Sequence, residues 1–526
     1  MTAQEKKAGA KAATTPARKK PAERAKKPAA VQTVQVLVVG AGCAGLGAAI
    51  RLKQQGINDF VVLEKAGEVG GAWRDNTYPG CTCDIPSNLY SFSFAPKPDW
   101  RHVFARQPEI YDYLKDVSQR FGVRPHIRFR VEVLSARWQE QDQHWHLETS
   151  AGRYRSRILI GGAGPLHEPK LPDVPGLDDF KGTVFHSAHW NHDHDLRGRR
   201  VAVVGTGASA IQFVPEIQPQ VGRLVLLQRT APWVLPKANF ETPKLQRELF
   251  RRLPLTQRAI RTAIYSGLEA FGYGFRHPEV MQRLGRLALN WLHSQVRDPL
   301  LREKLRPDFL LGCKRVLFSN NYYRALAQPN VDVVAGGLKE VRERSVIGAD
   351  GVEHEVDTLI FGTGFETTDS PIAKKIFDGQ GRALESVWNG SPQAYLGTTV
   401  SGFPNLFILL GPNVAIGHSS AIFLIEAQLE YVMDALRNMA ELDLSSVELR
   451  RDVQDAFNDE VQAALRGTVW NAGGCASYYI DRNGRNSGVW PWSTLHFRQR
   501  LSRFDLASYH AGREIAAALP EAAVPA

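Results

Sequence analysis

Two short glycine-rich loops, each entered by an apolar run, constrain this chain more than any other feature. Val34 to Val39 is a continuous β-branched and apolar run leading into Gly40-Ala41-Gly42-Cys43-Ala44-Gly45 and then a helical pattern. Val201 to Val204 likewise leads into Gly205-Thr206-Gly207-Ala208-Ser209-Ala210, with a helical pattern continuing to about Gln218. Glycine at these places lets backbone amides and a helix N-terminus approach a pyrophosphate with no Cβ in the way. Two such units 165 residues apart predict an α/β chain with two Rossmann-like dinucleotide-binding domains.

The strands that follow end in different chemistry. Val61-Val62-Leu63 closes on Glu64, whose carboxylate suits free ribose hydroxyls. Val225-Leu226-Leu227 closes on Gln228-Arg229-Thr230, where a guanidinium and a hydroxyl suit a 2′-phosphate that an acid would repel. FAD is therefore assigned to the first loop (Gly40, Gly42, Gly45, Glu64) and NADPH to the second (Gly205, Gly207, Ala210, Arg229, Thr230). Ala210 stands where the fingerprint admits either Gly or Ala.

At 526 residues the chain has room for two or three domains. The formal charge of +11 is concentrated at one end: residues 1 to 30 hold nine Lys or Arg against Glu5 and Glu23. That stretch lacks core-forming residues and reads as a disordered, solvated basic arm, with no nucleic-acid partner expected. It has neither the apolar run of a secretory signal nor the look of a transit peptide, which places the protein in the cytoplasm. No run of roughly 18 or more apolar residues predicts a transmembrane segment. The five cysteines are odd in number and widely spread, so they read as reduced, and no His pair completes a metal set around Cys81 and Cys83. Leu249, Leu253, Ile260, Ile264 and Leu268 recur at helical spacing among many Arg, predicting a helical insertion over about 241–306. The short apolar runs Val356 to Phe361 and Leu406 to Leu410 read as late buried strands. The expected order is a basic arm (1–30), an FAD-binding domain begun over 31–170 and resumed over 371–526, and an NADPH-binding domain over 171–370.

Phe180-Lys181-Gly182-Thr183-Val184-Phe185-His186-Ser187-Ala188-His189-Trp190 matches the pattern FxGxxxHxxxW, and here the chain resembles the Baeyer-Villiger monooxygenases, a flavoprotein family. Gly70-Gly71-Ala72-Trp73, Tyr78-Pro79-Gly80 and Asp84 match a second family pattern. Gly312-Cys313-Lys314-Arg315, Asp357 to Phe365, Gly411-Pro412-Asn413 and Gly484-Arg485-Asn486 through Trp490-Pro491 are similar to later landmarks. The resemblance runs from about Val34 to Tyr509. It departs at Asn191, where relatives carry Pro or Asp, and at Tyr478, where many carry a Trp that touches the nicotinamide nucleotide.

The resemblance implies a flavin reduced by NADPH, a C4a-peroxyflavin formed with O2, and insertion of one oxygen beside a ketone or aldehyde carbonyl. The product is an ester or lactone, with sulfoxidation as a side activity. Unless a fixed cation stabilises it, such a peroxide decays to hydrogen peroxide. The resemblance gives that role to Arg315, oriented by Asp84, as the catalytic pair. It adds Trp73, Asp84, Lys314 and Tyr478 to the cofactor-binding residues, Lys314 going to the 2′-phosphate. Phe180, Gly182, His186 and Trp190 become linker residues coupling domain movement to catalysis. Asn483-Gly484 marks a tight turn in the C-terminal stretch. Two enzymatic alternatives stay open: an N- or S-oxidising flavin monooxygenase, and an NADPH-dependent flavin reductase that inserts no oxygen. A non-enzymatic nucleotide sensor fits the Asp84 and Arg315 pair poorly.

Overall fold

Each apolar run becomes a strand with a parallel neighbour, and all but the Leu406 run are flanked on both edges. In the computed structural model, which describes residues 30–368 and 371–513, Gln32–Val39 lies between Phe60–Glu64 and Gly152–Gly161, parallel to both. Val36 and Val38 pack into one core cluster and Leu37 into another, so both faces of the strand are covered and it is continuously apolar rather than alternating. The sheet runs Ile376–Phe377, Val133–Gln139, His144–Thr149, Gly152–Gly161, Gln32–Val39, Phe60–Glu64, Ile127–Phe129. Leu406–Ile408 also joins Gly152–Gly161. Two of its strands thus arrive from beyond residue 370, after the second sheet is complete.

That second sheet is parallel throughout, in the order Val331–Ala335, Arg223–Gln228, Arg200–Val204, Thr358–Phe361, Thr183–His186. Two antiparallel runs of chain connect the sheets: Lys170 N donates to Gly364 O at 2.9 Å and Glu366 N to Glu168 O at 3.0 Å.

The helix Cys43–Gln54 is apolar on nearly every side, and such a helix has to be buried. It packs against Ala421–Glu441, and a Cβ on Gly47 would stand 2.9 Å from the Leu429 side chain. Small residues at this crossing set the distance between the helices.

Between the second sheet's strands, Lys244–Arg252, Pro254–Arg276, Pro278–Gln295 and Pro299–Lys304 are helical. Ile264 and Leu268 pack on the main core, while Leu249, Leu253 and Ile260 face solvent. Among the described residues no helix is long and apolar enough to cross a membrane. The basic arm up to residue 29 lies outside the described residues.

The reading of all five cysteines as reduced is corrected for two of them. Cys313 and Cys475, 162 residues apart in sequence, form a disulfide with Cα atoms 6.1 Å apart, and Cys43, Cys81 and Cys83 are free. Nothing local announces this pair, because only the tertiary fold brings the two segments together.

Candidate active site

The first glycine loop closes on itself. A Cβ on Gly45 would stand 1.8 Å from the Gly40 carbonyl oxygen, so the helix can start there only without a side chain. Gly42 caps the helix with no side-chain hydrogen bond, leaving its first N–H groups free for an anion. Opposite the loop, the Cα of Gly42 and a Cβ placed on Gly71 would be 3.0 Å apart. Glu64, at the end of its strand, is buried: Oε2 accepts from Ala41 N at 2.7 Å, and Oε1 accepts from Ala66 N at 2.9 Å and Arg74 Nη1 at 3.2 Å. The carboxylate thereby ties the strand end to the glycine loop, and of its roughly four acceptor sites one, on Oε2, is left for a ribose hydroxyl. These features fit a dinucleotide. Trp73 follows on the short helix Ala72–Asp75 and donates from Nε1 to Tyr90 Oη at 2.9 Å.

The second loop leads into the helix Ala210–Ile217, whose N-terminus is also without a side-chain cap. Thr206 Oγ1 donates to Thr230 O at 3.0 Å, tying the loop to the next strand end. Arg229 there is exposed. Burial pushes the Lys314 ammonium below the ordinary lysine range, and the nearby Arg229 charge pushes it the same way against Asp308. Among the described residues neither cation forms an ion pair, and Lys314 Nζ sits 4.9 Å over the Phe309 ring. Two neighbouring like charges, neither held in an ion pair, suit a phosphate.

Asp84 and Arg315 meet between the loops, 231 residues apart in sequence. Asp84 Oδ2 accepts from Arg315 Nε at 2.6 Å and Oδ1 from Nη2 at 2.9 Å, a two-point fork. Arg315 Nη1 donates to Ile416 O at 3.2 Å. Both side chains are about a quarter exposed, at 26% and 25%. Burial alone would raise the Asp84 carboxyl, but the Arg315 charge and its hydrogen bonds outweigh that and hold it below the usual carboxylate range. Burial disfavours the Arg315 cation, and Asp84 more than offsets it, so the guanidinium stays charged.

Two residues that sequence reasoning missed hold Asp84's loop. Gln212, on Ala210–Ile217, accepts from Thr82 N at 3.1 Å and Tyr78 Oη at 3.2 Å and donates to Thr82 O at 3.0 Å. Lys237 donates from Nζ to Thr82 Oγ1 at 2.8 Å and to Cys83 O at 3.0 Å. The position of Gln212, two residues into the helix after the second glycine loop, was the one available signal. Lys237 had none.

The fingerprint residues lie at the second sheet's edge. Phe180 is buried, and a Cβ on Gly182 would be 2.5 Å from Asp357 O. His186 is buried, its Nδ1 accepts from Ala188 N at 3.1 Å, and burial, helped by the His189 charge, lowers it to about 4, so it is neutral. Its ring lies edge-on to Phe365, beside the connecting runs. Trp190 packs against Phe185 and Phe213. In the C-terminal stretch, Asn413 donates to Asn486 O at 2.8 Å and Val489 O at 3.0 Å, joining two distant landmarks. Tyr478 is 48% exposed, and its hydroxyl donates to Tyr479 Oη at 3.1 Å.

The family described as "Pyridine nucleotide-disulphide oxidoreductase" matches residues 37–250. A protein of Streptomyces coelicolor called a Baeyer-Villiger monooxygenase is 48% identical over 478 residues, which are 90% of this chain and 92% of the relative. The crystal structure of cyclohexanone monooxygenase from Rhodococcus sp. Phi1 bound to NADP+ superposes with a TM-score of 0.82 and 27% identity, covering 92% of this chain and 100% of the other. The structure of OTEMO in complex with FAD and NADP gives 0.82 and 26%, covering 93% and 100%.

Proposed function

The chain belongs to the Baeyer-Villiger monooxygenase family, and on that premise we propose how its own residues insert one oxygen beside a ketone or aldehyde carbonyl to give an ester or lactone. Bound FAD, reduced by NADPH, supplies oxygen activated from O2. Gly40, Gly42, Gly45, Glu64 and Trp73 would hold the flavin nucleotide. Gly205, Gly207, Ala210 and Thr230 would hold NADPH, Arg229 and Lys314 would answer its 2′-phosphate, and Tyr478 would serve the nicotinamide nucleotide.

Arg315 is the catalytic cation. A guanidinium stays charged at any working pH, and one already fixed in place stabilises developing oxyanion charge with no reorganisation during the reaction. Asp84 is a positioning residue that sets the guanidinium plane. The observation that carries this reading is the two-point Asp84–Arg315 contact with its third bond to Ile416 O. Together these bonds leave one N–H on Nη1 and one on Nη2 free for the reacting oxygens. Phe180, Gly182, His186 and Trp190 transmit movement of the NADPH-binding unit, with His186 acting as a neutral hinge rather than a base.

Asp84→Asn tests the positioning role, since it keeps the side chain's size and removes its charge. The variant is expected to retain FAD but to divert NADPH electrons from ester to hydrogen peroxide. An unchanged yield of ester per NADPH would remove Asp84 from the mechanism.

A further inference from the structure

The disulfide joins two segments that the reaction needs together. Cys313 lies beside Lys314 and two residues before Arg315, and is buried. Cys475 lies three residues before Tyr478, in a stretch without helix or strand, and is partly exposed. Among the described residues, two further hydrogen bonds hold this stretch to neighbouring segments. Leu310 N donates to Gly473 O at 3.0 Å, and Thr367 Oγ1 donates to Tyr478 O at 3.3 Å. Burial raises the Tyr478 and Tyr479 hydroxyls, and the Arg315 charge acts against it.

We propose that Cys313–Cys475 is a thiol–disulfide exchange site, opened by a dithiol reductant, whose state sets how firmly residues 473–478 are held over Lys314 and Arg315. This rests on the NADPH and oxygen roles given above to Lys314 and Arg315. Cys475 is the point of attack. Its neighbours Gly474 and Ala476 are small and exposed, and Gly474 borders open space, so an incoming thiolate can reach the Cys475 sulfur. That attack forms a mixed disulfide, breaks the Cys313–Cys475 bond, and releases Cys313 as a thiolate that takes a proton. The reductant's second thiol then displaces Cys475. Two electrons pass to the protein and the dithiol leaves as its own disulfide.

Return needs an oxidant, and the enzyme makes one whenever oxygen activation runs uncoupled. Hydrogen peroxide oxidises one cysteine to a sulfenic acid with loss of water. The other thiol displaces a second water and reforms the S–S bond. A loosened 473–478 stretch would raise peroxide leakage, and the peroxide would restore the bond that suppresses the leak. The pair would thus act as a self-correcting coupling device.

The test uses the full-length FAD-loaded enzyme, treated either with excess dithiothreitol or with hydrogen peroxide and then freed of reagent. Thiols are counted after denaturation, and KM for NADPH and the ester-to-peroxide ratio are measured. Three thiols are expected in the oxidised protein and five in the reduced one, because three of the five cysteines are free. Reduction is expected to raise the NADPH KM by about fivefold or more, the lower end of ordinary coupling between sites, and to lower the ester share without loss of FAD. Cys475→Ser is expected to behave as the reduced enzyme and respond to neither reagent. Five thiols after peroxide treatment, or equal KM and coupling in the two states, would overturn the proposal, as would a Cys475→Ser variant that still responds. Lys314→Ala separates the two failures. If it raises the NADPH KM while reduction does not, the exchange proposal falls and the NADPH assignment stands; if it leaves the KM unchanged, the assignment itself has failed.

Discussion

At the end of Phe60–Glu64 the carboxylate is already answered by the protein, whereas at the end of Arg223–Gln228 the charge is left unanswered. Glu64 takes two backbone N–H groups and Arg74, so the first loop is finished without help from a ligand. Arg229 and Lys314 lie near each other with no ion pair among the described residues and only a smaller opposing influence from Asp308, so the second site carries a repulsion that an incoming anion would relieve. On the proposed assignment the same loop geometry serves two kinds of binding: a resident cofactor on a self-satisfied frame, and a co-substrate drawn to cations outside any ion pair and able to leave again.

The largest effect that bears on this contrast comes from Glu64→Ala. It leaves Ala41 N and Ala66 N without their acceptor, at about 1–3 kcal/mol for each buried donor left unpaired, and takes one of two carboxylate partners from Arg74, Asp75 remaining. The variant should purify with little FAD and a lowered Tm; full flavin content at unchanged Tm would mean that the first frame does not depend on its acid. Arg229→Ala comes next. Losing a charge-assisted contact of about 1.5–3 kcal/mol corresponds to roughly a 10- to 100-fold rise in NADPH KM, with NADH little changed and FAD content untouched. Equal losses for both nucleotides would refute a 2′-phosphate contact.

The smallest effect is a titration. Lys314 is held below the ordinary lysine range, by burial first and Arg229 second. Only its charged form attracts phosphate, so NADPH affinity is complete below that depressed value and falls as pH rises through it. KM for NADPH measured against pH should rise earlier than an ordinary lysine would allow, and Lys314→Ala should flatten that rise. A rise of the same shape in the variant would assign it to another group.

The parts of the site that could be read from sequence are those set by a few adjacent residues. Glycine spacing, the acid at Glu64 and the cation at Arg229 each follow from one strand and one turn. The Asp84–Arg315 partnership spans 231 residues and came only from family resemblance, since neither residue's surroundings name the other. Gln212, Lys237 and the Cys313–Cys475 bond were out of reach for the same reason: their partners lie on other elements. In the helices over 244–304, periodicity reveals an apolar face but not what covers it. Leu249 and Leu253 show the consequence by facing solvent, while Ile264 and Leu268 pack inside.

The central claim is that Arg315 directs activated oxygen to a carbonyl. The most direct measurement reduces FAD-loaded Arg315→Ala with NADPH, mixes it with oxygenated buffer and a ketone, and counts ester and hydrogen peroxide per NADPH. Flavin reduction is expected to proceed while ester formation falls by about 10²–10³-fold, with the electrons recovered as peroxide. Ester formed at the normal rate would contradict the assignment.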